Sequence, residues 1–93
     1  MSYEVIVTPS AQRDFDRLPD QMHSRVSDRL RSVAKEPRPP GARRVQDMPA
    51  GNYRLRVGDC RIGYAVDDKA RTVRVWQIAD RKRFYQQMKR RRV

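Results

Sequence analysis

Four arginines and a tyrosine carry most of the chemistry this sequence can offer. Arg54, Arg56 and Arg61 lie inside the stretch "NYRLRVGDCRIGY" (52–64), and Arg81 precedes Tyr85 by four residues, one turn of a helix. A guanidinium stays protonated and presents a planar fork of donors matched to phosphate oxygens, so these arginines suit clamping a phosphate and stabilising charge that develops on it. They are poor proton carriers. The Tyr85 phenol can supply a proton, or it can stack on a base. A half-buried packing ring is the plain structural alternative for it. Arg83 and Lys89 add donors for substrate binding. Asp80 is a poorer candidate base in so positive a setting. The only histidine, His23, belongs to a helical stretch, is expected on an exposed face away from the arginines, and receives no catalytic role. No cysteine or histidine cluster points to a metal and no glycine-rich loop to a nucleotide, so no cofactor is expected.

A hairpin must position the first three arginines. With Gly58-Asp59 as a two-residue turn of the primed type, Val57 pairs with Cys60, Arg56 with Arg61, Leu55 with Ile62, Arg54 with Gly63 and Tyr53 with Tyr64. Tyr53, Leu55, Val57, Cys60, Ile62 and Tyr64 then share an apolar face for helices to cover, while Arg54, Arg56, Arg61 and Gly63 share the other. Directly opposed like charges destabilise a strand pair, by a few tenths to about 1 kcal/mol. That penalty, with a glycine gap beside the charges, favours an arginine face open to a ligand over an incidental solvated one.

The remaining elements are punctuated clearly. "SYEVIV" alternates as a short strand, and Thr8 then offers an N-cap with Pro9 at the first helical position. Ala11, Phe15 and Leu18 form the stripe of a first helix that Pro19 ends. Met22, Val26, Leu30, Val33 and Ala34 form that of a second, longer helix, which "EPRPPG" stops. "ARRVQDMPAG" reads as a loop with a short edge strand near Val45. "DDKAR" is a turn, "TVRVWQIA" a strand rich in β-branched and aromatic residues, and "DRKRFYQQMKRRRV" a final helix beginning near Arg81, with Phe84 and Met88 facing the core. At 93 residues the chain suits one domain with a single modest core.

The formal net charge of +11 calls for a partner of opposite sign, nucleic acid or an acidic protein. Cys60, the only cysteine, has no internal disulfide partner and is expected as a buried free thiol. The N-terminal apolar run is too short for a signal or membrane helix, so a cytoplasmic protein without membrane contact is expected.

"YRLRVGDCRIGYAVDD", the β-rich run after it, "DRKRFY" and "TPSAQRDFDRLP" together resemble the RelE/ParE family of bacterial type II toxins over nearly the whole chain. The resemblance implies one RelE-like toxin domain over 1–93. Its fold would be α/β of the α+β type, a small, mostly antiparallel sheet with two N-terminal helices and a C-terminal helix. RelE-like members of the family cut messenger RNA in the ribosomal A site with basic residues on the sheet and a C-terminal tyrosine, and Arg54, Arg56, Arg61, Arg81 and Tyr85 fall on those positions. ParE-like members instead poison DNA gyrase and generally lack that basic set; a gyrase inhibitor or a basic nucleic-acid-binding module is the alternative. Relatives often carry lysine at Arg54 and Arg56, and histidine at Asp80. The partners implied are a cognate antitoxin presenting an acidic or amphipathic segment, mRNA on the 70S ribosome, and operator DNA only through the antitoxin.

Overall fold

In the computed structural model, which describes residues 2–91 apart from the side chains of 89–91, the chain runs β1 (Glu4–Val7), α1 (Pro9–Asp16), α2 (Asp20–Lys35), β2 (Arg43–Arg44), β3 (Asn52–Val57), β4 (Cys60–Asp67), β5 (Thr72–Asp80) and α3 (Arg81–Arg91). The strands form one sheet in the order β1-β5-β4-β3-β2, with β1 parallel to β5 and every other pair antiparallel. This is the expected α+β architecture, with a mixed sheet. Among the described residues no helix is long and apolar enough to cross a membrane.

Local signals account for the helix starts. The Thr8 hydroxyl accepts from the Ala11 N–H at 3.2 Å with Pro9 in the first turn. Pro19 opens α2 after ending the turn that follows α1. Where β1 stops, α1 takes over its edge of β5: the Asp14 carboxylate, buried, accepts from the Ile78 N–H at 3.1 Å.

The β3–β4 register is the one expected, Val57↔Cys60 through Tyr53↔Tyr64, and the turn residue Gly58 has φ +57°. Asp59 stays outside the positive-φ region, the pattern of a turn that takes glycine at its first central position. A Cβ on Gly58 would stand 2.8 Å from Arg25 Nη1 of α2, so the turn packs closely on that helix.

One core was expected; the sheet carries two, one on each face. On the first face Ala11, Val26 and Val33 pack against Leu55, Val57, Ile62, Tyr64, Val73, Val75 and Ile78. The Tyr64 hydroxyl, at the end of that core, donates to the Pro37 carbonyl at 2.8 Å, and burial pushes its pKa up to about 12. The second core holds Val45, Trp76, Ala79, Phe84 and Met88 and lies on the arginine face. Its cause is a bulge: Gly63 pairs with Gln77 but Tyr64 with Val75, which leaves Trp76 as an extra residue of β5 turned to the opposite face.

The arginine face, expected from the sequence to be open, is therefore covered along part of its length. The Trp76 ring occupies the gap at Gly63, where an added Cβ would meet its Cη2 at 2.6 Å, and α3 packs over both. The buried Gln77 side chain donates to the Phe84 carbonyl, tying α3 to the strand beneath it.

Candidate functional site

Arg56 and Arg61 face each other across the hairpin, two residues from its turn, and α3 brings Arg81 to the same place. Asp80 caps that helix, accepting from the Arg83 N–H at 2.8 Å, which fixes the point where Arg81 leaves the sheet. Arg56, Arg61 and Arg81, with Gly58, Asp59, Asp80 and Lys82, surround a hollow of about 290 Å³. Four cations there face two carboxylates.

Arg61 is the anchor of this hollow. It is only 9% exposed, and its Nε is buried without a hydrogen-bond partner among the described residues. An unmet buried donor costs about 1–3 kcal/mol, more when charged, so an incoming anionic acceptor would gain more here than at an exposed arginine. Arg56 is exposed and its Nε donates to the Gly58 carbonyl at 3.2 Å, which folds it back over the turn. None of Arg54, Arg56, Arg61 and Arg81 forms an ion pair with a described residue.

The other expected residues fall elsewhere. Arg54 shares the arginine face but lines a separate hollow of about 430 Å³ with Arg43, Arg44 and Gln46. Tyr85, one turn beyond Arg81, is 40% exposed with its ring edge-on to Phe84 at 5.3 Å, so it is not a half-buried packing ring; nor does it line the hollow around Arg61. Arg83 projects to the far side of Asp80, beside Arg17, Cys60 and Gln87. The Lys89 side chain lies outside the described residues.

His23, expected to be exposed, is half-buried, stacked on Phe15 at 4.6 Å with Nε2 2.6 Å from the Phe15 carbonyl; α1 folds back over that side of α2. It does not line the arginines' hollow. Cys60 is the buried free thiol expected, its pKa pushed up by burial first and then by the Asp80 and Asp59 charges. Among the described residues no group of three or more His, Cys, Asp or Glu could hold a metal.

Lys82, Asp59, Arg43 and Arg44 were not anticipated as site residues. Lys82 was detectable, since it neighbours Arg81 at a helix start. Arg43 and Arg44 form the short edge strand expected near Val45, but its pairing, which sets Arg43 opposite Arg54, was not anticipated.

Residues 5–85 match the family model described as the ParE toxin of the type II toxin-antitoxin system, parDE. No curated protein matches the chain. Among solved structures it is similar to the RelBE2 toxin–antitoxin complex of Mycobacterium tuberculosis, with 27% identity, TM-score 0.77, and 87% of this chain and all of that one covered. The archaeal RelE–RelB complex from Pyrococcus horikoshii is 24% identical, TM-score 0.78, over 89% of this chain and 99% of that one. A RelE mutant of Escherichia coli in the free state is 22% identical, TM-score 0.78, with both chains covered completely. The last two likenesses speak for the fold.

Proposed function

The chain belongs to the RelE/ParE family of type II toxins, and on that premise we propose that it is an endoribonuclease that cleaves mRNA in the A site of the 70S ribosome and so inhibits translation. The observation that carries this reading is the hollow in which Arg56, Arg61 and Arg81, contributed by three separate elements, meet without an ion-pair partner among the described residues.

Cleavage by the neighbouring 2′-hydroxyl requires a base for that hydroxyl, stabilisation of charge on the pentacoordinate phosphate, and an acid for the leaving 5′-oxygen. The three guanidinia serve the second need, as donors converging on one hollow, with Arg61 shielded from water and Arg56 and Arg81 exposed. Arg61 is held rigidly by burial and by its strand, Arg56 by the turn, and Arg81 by the capped helix start. Tyr85, exposed one turn along α3, is the residue assigned to proton transfer or to stacking on a base; Arg54 extends the charged face outward. Asp80 is committed to its cap. Weak proton transfer by this set is offset by positioning of the message on the ribosome.

A cognate antitoxin is the second proposed partner. The +11 charge favours an acidic segment, bound as an amphipathic helix or an added strand, and operator DNA would be reached only through it. A gyrase-inhibiting role is the second reading, favoured by the ParE description of the matching family model. Mapping 5′ ends of a message in a purified translation system distinguishes the two. Codon-phased cuts that appear only with ribosomes and this protein are expected; an intact message together with stalled gyrase would overturn the nuclease.

A further inference from the structure

Arg43, Arg44 and Arg54 surround the 430 Å³ hollow at the β2 edge of the sheet, and we propose that it is a second phosphate subsite, holding single-stranded RNA beside the hollow of Arg56, Arg61 and Arg81. The identity of the strand as RNA rests on the proposed function. The subsite itself rests on the hollow's own residues.

The pairing sets Arg43 directly opposite Arg54, a like-charge pair that opposes folding by up to about 1 kcal/mol. Neither these two nor Arg44 forms a hydrogen bond or ion pair through its guanidinium with a described residue. Arginines elsewhere are treated differently: Arg38 holds Asp68 with two hydrogen bonds, and Arg31 holds Asp28 at 2.7 Å. Three arginines lining one concavity, none with an ion-pair partner among the described residues, leave a net positive field there, which an anion relieves.

The occupant follows from the lining. Arg43, Arg44, Gln46 and Arg54 bring no hydrophobic side chain to the hollow, and its lining is more polar than apolar, so an amphipathic helix would find little there to bury its apolar face against. A nucleic-acid backbone needs only charge and hydrogen bonds. Arg54 and Arg56 project from the same face of β3 two residues apart, about 7 Å along the strand, so the two hollows adjoin. A backbone with one phosphate against Arg56 and Arg61 would run past Arg54 toward the sheet edge. The edge subsite would then grip nucleotides flanking the scissile step.

Binding of fluorescent oligouridine to the full-length protein, without ribosomes, tests this by anisotropy between about 50 and 200 mM salt. For single strands the slope of log K against log salt changes by about 0.7 for each phosphate that is no longer neutralised. Arg43→Gln/Arg44→Gln should therefore flatten the slope by about 1.4, and Arg31→Gln should leave it as in wild type. An unchanged slope in the double variant would overturn the subsite, and so would an unchanged slope accompanied by weaker binding of antitoxin, which would make the hollow a protein site. Removing opposed charges should not lower the melting temperature; if the double variant nevertheless failed to fold, Arg44→Gln alone should flatten the slope by about 0.7. Absence of codon-phased cuts with a flattened slope would remove the nuclease and keep the subsite, whereas normal cuts with an unchanged slope would do the reverse.

Discussion

The two faces of the sheet are built for different ends. The first buries aliphatic side chains from two helices and three strands under α1 and α2, and its polar groups are matched: Tyr64 has the Pro37 carbonyl and Ile78 has Asp14. On the second, a smaller cluster around Trp76 and Phe84 holds a single helix, flanked by unpartnered arginines. Three buried side-chain atoms lack a partner among the described residues, and two of them, on Arg61 and Gln77, belong to this second face. The difference separates stability from readiness. The first face can be optimised as a packing problem, whereas the second holds charge where only a ligand completes it.

Removing a large core residue from each face puts that separation under the greatest strain. Leu55→Ala on the first face should cost about 2–5 kcal/mol and Phe84→Ala on the second about 3–5 kcal/mol, read from denaturant unfolding. Similar losses of stability should have different functional consequences. Leu55→Ala should retain most of its cleavage per folded molecule. Phe84→Ala releases the helix that carries Arg81 and Tyr85, so its cleavage should fall even at temperatures where it is folded. Equal cleavage by the two folded variants would remove the distinction between the faces.

The first face was legible in the sequence because its signals are local and periodic. The strand period of two, the two-residue turn and the Thr8-Pro9 cap fixed the register, the apolar set and the start of α1 without long-range information. What failed was the second face. An extra residue in β5 shows itself only when β5 is laid against β4, so neither the turning of Trp76 nor its occupation of the Gly63 gap could be read from β5 alone. The same holds for the site. Arg56 and Arg61 are joined by a predictable hairpin and Arg81 by a predictable helix start, whereas Arg54 is set opposite Arg43 by an edge strand of two residues, expected near Val45 but too short for its register to be read. Arg83 lies on the other side of Asp80 from Arg81 for a simpler reason: residues two apart on a helix stand about 200° apart around its axis.

Charge removal on the second face comes next in size. Arg81→Ala and Arg61→Ala should each reduce single-turnover cleavage on programmed ribosomes on the order of a hundredfold. Arg81 is exposed, so its variant should melt within about 0.5 kcal/mol of wild type. Arg61 is buried, and its variant should lose some packing as well. Tyr85→Phe keeps the ring and removes the hydroxyl; cleavage should fall while ribosome binding stays, and unchanged cleavage would leave stacking as its role.

A smaller effect is expected at Gly63, the point where the two properties of the second face meet. Gly63→Ala places a Cβ about where the Trp76 ring lies, against three ring carbons that backbone and α3 hold in place. Overpacking of this kind costs about 1–3 kcal/mol. Cleavage should decline in step as α3 shifts. A variant with wild-type stability would mean that the second core is loosely packed, and would weaken the claim that Trp76 supports α3.

The smallest effect contrasts a partnered arginine with the unpartnered ones. At the far end of the first face, Asp68 accepts two hydrogen bonds from Arg38 and one from the Tyr3 hydroxyl at 2.6 Å, and Arg38 also donates to the Tyr53 hydroxyl. Bonding to Arg38 and then to Tyr3 holds the Asp68 carboxyl below its ordinary value of 3.8. The unfolded chain therefore takes up this proton first as pH falls. The contribution to stability is complete above about pH 5 and is lost as pH drops through the folded-state value. The Tyr3 phenol behaves in the opposite sense, raised above 10.0 chiefly by its bond to Asp68, so its part is present below pH 10 and fades above it. Both groups are on the surface, so the effect should be small and screened by salt. Asp68→Asn should melt slightly below wild type at pH 7, and the gap should close as pH is lowered toward 3 or as salt is raised toward about 1 M. A gap that widened in acid would show that Asp68 is a strained acid rather than the partner of Arg38, and would end the contrast with the arginines left free on the other face.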